Sequence, residues 1–148
     1  MKTKLLIIIM ILICSPVSDS GIREYNYSEE QLRGFQLLQD WENIYTAIVI
    51  VESKNDRFAV GSKGDAGLLQ ILPKNSGGYL DEANRLAGYD KYRNKDRFCP
   101  VLTREIWEVV MLHHNPQKCL KKAIKMHNPR GGQKYADKVI REYEKLTK

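Results

Sequence analysis

One stretch constrains this 148-residue chain more than any other: an apolar run that ends on a single carboxylate and opens into a glycine-rich polar loop. Ala47-Ile48-Val49-Ile50-Val51 leads to Glu52, and Ser53 to Asp65 then shows no apolar period but holds Gly61 and Gly64. The β-branched cluster Ile48–Val51 is compatible with a buried strand. A helix is the better expectation, because Trp41, Ile44, Tyr45, Ile48 and Val49 recur at helical spacing before and through that cluster. On a helix, Glu52 lies one turn beyond Ile48, at the edge of the buried face, and a rigid element delivers it to the loop. Desolvation there raises a carboxyl pKa, which suits a general acid at neutral pH. The plainer reading, that Glu52 marks the polar end of a core helix, accounts for these residues equally well.

The rest of the chain reads as one all-α domain. Ser28-Glu29-Glu30-Gln31 is a capping-box pattern, followed by Leu32, Phe35 and Leu38 at helical spacing, with Asp40 expected to cap a second helix from Trp41. Gly67 to Leu72 is expected to form a short helix stopped by Pro73, and Tyr79 to Leu86 another, with Gly88 past its end. Tyr89 to Pro100 reads as a surface loop held by Cys99. Thr103 is expected to cap a helix carrying Ile106, Trp107, Val110 and Met111, and Asn115-Pro116 to start the next one. The last helix carries Tyr135, Val139, Ile140, Tyr143 and Leu146. A small β element around the Gly-rich loop stays open. Trp41 and Trp107 fall on apolar faces and are expected in the core rather than as sugar platforms.

Lys2 and Lys4 precede the apolar run Leu5–Cys14, and small residues follow. This is the pattern of a secretory signal peptide, expected over residues 1–20 with cleavage near Ser20, leaving a domain over 21–148. The run is shorter than the roughly 20 residues that span a bilayer, so no membrane span is expected after cleavage. Acylation of Cys14 is the alternative, but Ile13 stands where a small residue is wanted. An exported chain, periplasmic or extracellular, would keep Cys99 and Cys119, an even pair expected to form a disulfide. No HExxH or CxxC pattern is present, so no zinc site, redox dithiol or other cofactor is expected. The net charge of +6 suits an anionic partner. No nucleic-acid-binding motif accompanies it, and an anionic cell-envelope polymer is the simpler expectation.

Glu52-Ser53, the Gly-rich loop with Ala59-Val60 and Lys63-Gly64, and then Gly67-Leu68-Leu69-Gln70-Ile71-Leu72-Pro73 together resemble the signature of the soluble lytic transglycosylases. These are lysozyme-like enzymes, related in fold to goose-type lysozymes, that cleave peptidoglycan glycan strands. The resemblance extends over roughly residues 40–145. It implies a mainly helical lysozyme-like fold, Glu52 as the catalytic acid and base, and a sugar groove touched by Ser53, Gly67, Leu69, Gln70, His127 and Asn128. His127-Asn128 falls on the family's Tyr-Asn, so His127 is a departure. Leu69 replaces the family's Met, a swap that conserves volume. Goose-type lysozymes carry an Asp shortly after Leu-Met-Gln, whereas this chain reads Ile71-Leu72-Pro73. Asp56 and Asp65 are the nearest rival carboxylates and are expected to be solvated or capping. The implied reaction is transglycosylation by a single acid, giving a 1,6-anhydro product. Two alternatives stand beside it: a hydrolytic lysozyme on the same fold, and a glycan-binding module without turnover.

Overall fold

The computed structural model describes residues 28–148, excluding the side chains of Gln31, Leu32 and Phe35. The expected signal peptide, Cys14 and its acylation, and the capping and packing roles of Gln31, Leu32 and Phe35 lie outside the described residues. Five α-helices make up the domain: α1 (Glu29–Ser53), α2 (Tyr79–Ala87), α3 (Pro100–His114), α4 (Leu120–His127) and α5 (Gly132–Leu146), with a 3₁₀ turn at Asn94–Phe98 before α3. This is the expected all-α class, consistent with a lysozyme-like architecture. The only β pairing among the described residues is two isolated bridges, Val60 with Ala66 and Ala66 with Ile71.

The core forms where α1 packs on α4 and α5, and α2 on α3. Trp41, Ile44, Ala47 and Ile48 of α1 are buried with Ile106, Trp107, Val110 and Met111 of α3, Ala123 and Ile124 of α4, and Val139 of α5. Each large side chain of this kind contributes about 1.5–3 kcal/mol by leaving water. Trp41 and Trp107 lie ring against ring at 4.7 Å, in the core as expected. Before Trp41, α1 is exposed at every described position from Arg33 to Gln39, including Leu37 and Leu38.

Several expected boundaries move. Asp40 does not start a helix. α1 runs through it, and the Asp40 carboxylate instead accepts a bond from the Gln36 amide one turn earlier. Residues 67–70 form a turn rather than a helix, because Gly67 (φ +77) and Gln70 (φ +47) are both left-handed. Ala66 and Ile71 then exchange backbone hydrogen bonds across that turn. α3 begins at Pro100 behind Cys99, three residues before Thr103, whose hydroxyl donates to the Arg97 carbonyl. Asn115 ends α3 rather than starting α4. Its buried amide donates to the Cys119 carbonyl and accepts from the Cys119 N–H, so α4 starts only at Leu120. The 89–100 segment is anchored by Tyr92 and Arg97, both buried. Tyr92 exchanges two backbone hydrogen bonds with the Asn84 side chain. Cys99 and Cys119, the expected disulfide pair, are free thiols, Cys99 at the start of α3 and Cys119 at the start of α4.

The expected α2 helix is borne out. Gly88 closes it in the left-handed conformation (φ +78), its N–H reaching the Asn84 and Arg85 carbonyls. In front of α2, the Asp81 carboxylate accepts the Asn75 and Gly77 N–H groups and shapes the turn that borders the cleft.

Candidate active site

α1 stops at Ser53 because Lys54 and Asn55 both turn left-handed, with φ of +54 and +67. That places Glu52 in the last helical turn, on the wall of a cleft of about 1010 Å³. Gln70, Tyr79, His127 and Asn128 line the same cleft, as do Asp65 and Glu82. The structure therefore brings Glu52, Gln70, His127 and Asn128 together out of the expected set.

The other three expected site residues are part of the scaffold. Ser53 is buried, and its hydroxyl donates to the Val49 carbonyl one turn back. Leu69 is fully buried in the core. Gly67 is buried against the 3₁₀ turn: a Cβ there would lie 1.8 Å from the Arg97 carbonyl oxygen. Arg97 in turn clamps the loop. Its guanidinium donates to the Gly64, Ile71 and Asn94 carbonyls. Gln70 uses its amide N–H₂ on the Ala59 and Gly67 carbonyls, which fixes the side chain beside the cleft.

Glu52 has two partners from the far end of the chain. The Tyr135 hydroxyl of α5 donates to Glu52 Oε1 at 2.6 Å, and His127 Nε2 at the end of α4 lies 3.3 Å from the same oxygen. Glu52 Oε2 has no protein partner among the described residues. The Tyr79 ring sits 5.3 Å from the His127 ring. The Tyr79 hydroxyl and His127 Nδ1 are both buried without a hydrogen-bond partner.

The electrostatics correct the simple expectation for Glu52. Burial does push its carboxyl up, but the His127 N–H and charge, with the Tyr135 hydrogen bond, outweigh it and hold the group below its ordinary value. Burial, with the Glu52 charge beside them, drives both the Tyr79 and Tyr135 phenols well up. They act as hydroxyl donors, not as phenolates. Glu82, across the cleft, is committed elsewhere. Arg85 meets it at 2.6 Å and His114 at 2.6 Å, which lowers it to about 2.

Tyr135 and Tyr79 are the site residues that sequence reasoning missed. Tyr135 reads as one apolar position on the last helix, and the resemblance, which matches it to the family's Tyr-containing helix, gives it no role at Glu52. The available signal is the glycine one turn before it. A Cβ on Gly131 would lie 2.6 Å from the Tyr135 Cβ and 2.9 Å from the Asn128 Cγ, so this turn must be glycine to pack those two side chains together.

Residues 36–103 match the family model of the Transglycosylase SLT domain. The match bears out the resemblance to the soluble lytic transglycosylases. It contains Glu52, the Gly-rich loop and Gln70, and ends before His127, Asn128 and Tyr135. An SLT segment supports a peptidoglycan-acting function of the lytic transglycosylase type in general terms, and a place of action outside the cytoplasm. No helix among the described residues is long and apolar enough to cross a membrane. Neither the comparison with curated proteins nor that with solved structures finds a match.

Proposed function

We propose that this chain is an exported lytic transglycosylase in which Glu52 serves in turn as general acid and general base. The observation that carries the reading is the held carboxylate: Tyr135 and His127 fix one oxygen of Glu52 at the wall of a strand-sized cleft, and the other oxygen is free. In the first step, protonated Glu52 donates to the glycosidic oxygen between N-acetylmuramic acid and N-acetylglucosamine, and that bond breaks. The substrate's own N-acetyl group stabilises the positive centre left behind. Glu52, now a carboxylate stabilised by the Tyr135 hydroxyl and the His127 N–H, takes the proton from the muramic 6-hydroxyl. That oxygen bonds to the anomeric carbon and closes the 1,6-anhydro ring, and no water is consumed.

Glycan filling the cleft displaces water from Glu52 and strengthens the desolvation that already opposes its charged form. Gln70 and Asn128 supply amide donors and acceptors to the sugars. His127 stands where the family has Tyr and still addresses Glu52, which supports a working site rather than an idle one.

A second reading rests on Asp65, which lines the cleft with Glu52. Two carboxylates across one cleft is the arrangement of a hydrolytic glycosidase. Asp65 is occupied, however: its Oδ1 accepts the Lys63 N–H, and the loop folds tightly around it, with Gly61 N–H bonded to the Asp65 carbonyl at 2.8 Å. Mass spectrometry of peptidoglycan digested by wild-type, Glu52→Gln and Asp65→Asn proteins decides between the readings. Anhydromuropeptides lost in Glu52→Gln but kept in Asp65→Asn support the transglycosylase. Reducing-end products lost in both variants would replace it with a lysozyme.

A further inference from the structure

The charges on the cleft wall are unevenly matched. Glu82 has Arg85 as a cationic partner, and Glu52 is held by Tyr135 and His127. Lys122 of α4, Arg130 of the α4–α5 turn and Lys63 of the Gly-rich loop also line the cleft, are exposed, and take part in no ion pair among the described residues, against Asp65 as the one cleft-lining carboxylate in none. Lys122 and Arg130 belong to a basic stretch of sequence. Residues 120–141 contain Lys121, Lys122, Lys125, Arg130, Lys134, Lys138 and Arg141 against the single acid Asp137. None of these seven is ion-paired among the described residues, whereas Arg33, Arg85, Arg104, Lys74, Lys91 and Lys145 elsewhere are. Mutual repulsion among like charges opposes the compact state, so unpaired cations on the cleft wall call for an anionic partner. Lys122 shares the cleft-facing side of α4 with Met126, one turn on, and Arg130 follows His127 and Asn128 directly. Lys122 and Arg130 thus stand where the glycan strand would pass Glu52.

We propose that Lys122 and Arg130 form a carboxylate-binding subsite for the peptide stems that project from muramic acid residues, making the enzyme selective for strands with free stem carboxylates. The inference rests on the peptidoglycan reading above and adds the substrate feature that reading leaves open. Charge complementarity argues for stems rather than neutral sugar, because the glycan hydroxyls and N-acetyl groups offer no charge to match two unpaired cations. The cations are exposed, so each contact with a carboxylate is worth only a few-fold in affinity and is screened by salt.

The test measures binding of Glu52→Gln protein to three insoluble ligands: intact sacculi, sacculi with carboxyl groups converted to amides, and glycan strands stripped of stems by amidase, with the lactyl carboxylates that this hydrolysis leaves likewise converted to amides. Binding to intact sacculi is expected to be about tenfold tighter than to the other two at low salt. The preference should collapse in 0.5 M NaCl and in a Lys122→Gln/Arg130→Gln derivative whose thermal midpoint confirms folding. Equal binding to all three ligands, or an undiminished preference in that derivative, overturns the proposal. Wild-type digestion separates it from the parent reading. Anhydro products formed equally well from stripped and intact strands sink the subsite and keep the transglycosylase. A salt-sensitive stem preference without products does the reverse.

Discussion

Replacing Gly67 with alanine tests whether this residue serves the fold or the glycan. The resemblance puts it in the sugar groove, and the structure puts it under the 3₁₀ turn. Two costs add. A left-handed φ of +77 penalises any L-residue by about 1–2 kcal/mol, part of it recovered through a stiffer unfolded chain. The larger cost is steric, since the new Cβ would lie 1.8 Å from the Arg97 carbonyl oxygen. That oxygen cannot retreat freely. It accepts the Thr103 hydroxyl at 2.9 Å, and the same residue's guanidinium is bonded to the Gly64 and Ile71 carbonyls at 2.7 and 2.9 Å. Moving Arg97 forfeits one or two hydrogen bonds to a charged group, each worth about 1.5–3 kcal/mol. The expected total is about 4 kcal/mol. At about 4 °C per kcal/mol for a domain of this size, the thermal midpoint falls by about 15 °C. Gly64→Ala is the internal control. Its φ of +75 is as demanding, but a Cβ there meets nothing closer than Pro73 at 3.8 Å. It should cost about 1 kcal/mol, the strain alone. Calorimetry of the two variants reads the difference. Equal losses would refute the steric argument, and an unchanged midpoint with a raised KM in Gly67→Ala would return the residue to the groove.

Three further outcomes follow from the site. Removing the His127 ring in His127→Phe leaves burial less opposed at Glu52, so the carboxyl titrates at higher pH. The alkaline limb of the kcat/KM profile, where the acid form is lost, should move to higher pH; a profile that stays put separates His127 from the proton of Glu52. The sign for stability runs the other way. A carboxyl held below its ordinary value stabilises the fold above that value and loses the contribution as pH falls through the folded-state value, so Tyr135→Phe should flatten the acid side of the stability curve in urea titrations. In Gly131→Ala the new Cβ pushes on Tyr135 and Asn128; since small displacements of positioning groups cost up to about a hundredfold in rate, kcat should drop at least tenfold with the helical circular dichroism intact.

Glu52 was legible because its evidence is contiguous: one helical period, one carboxylate, one loop. The errors share a different cause. At Asp40, the local preference of Asp for a helix start competed with a hydrogen bond from Gln36 that keeps the helix continuous. At residues 67–70, Leu68, Leu69 and Ile71 mimic helical spacing, while the left-handed turn at Gln70 is visible only once its amide is seen holding Ala59 and Gly67. Asn115 looked like a helix start because Pro116 follows it, yet its side chain serves Cys119. Gly67 was singled out for the sugar groove, and its packing under the 3₁₀ turn was hidden because its neighbour Arg97 lies thirty positions away. Tyr135 escaped because a hydroxyl on an otherwise apolar helix face carries no sign of the carboxylate it will meet.

The bond between Tyr135 and Glu52 joins residues 83 positions apart. The acid comes from the first helix and its donors from the last two. A chain still emerging, or one cut in the turn at 128–131, owns Glu52 but not the Tyr135 hydroxyl that holds it. On the proposed reading, the ability to cut the wall is therefore the last property the molecule acquires as it folds, and the first it forfeits when α5 lifts away. Its maker is shielded from it by order of assembly.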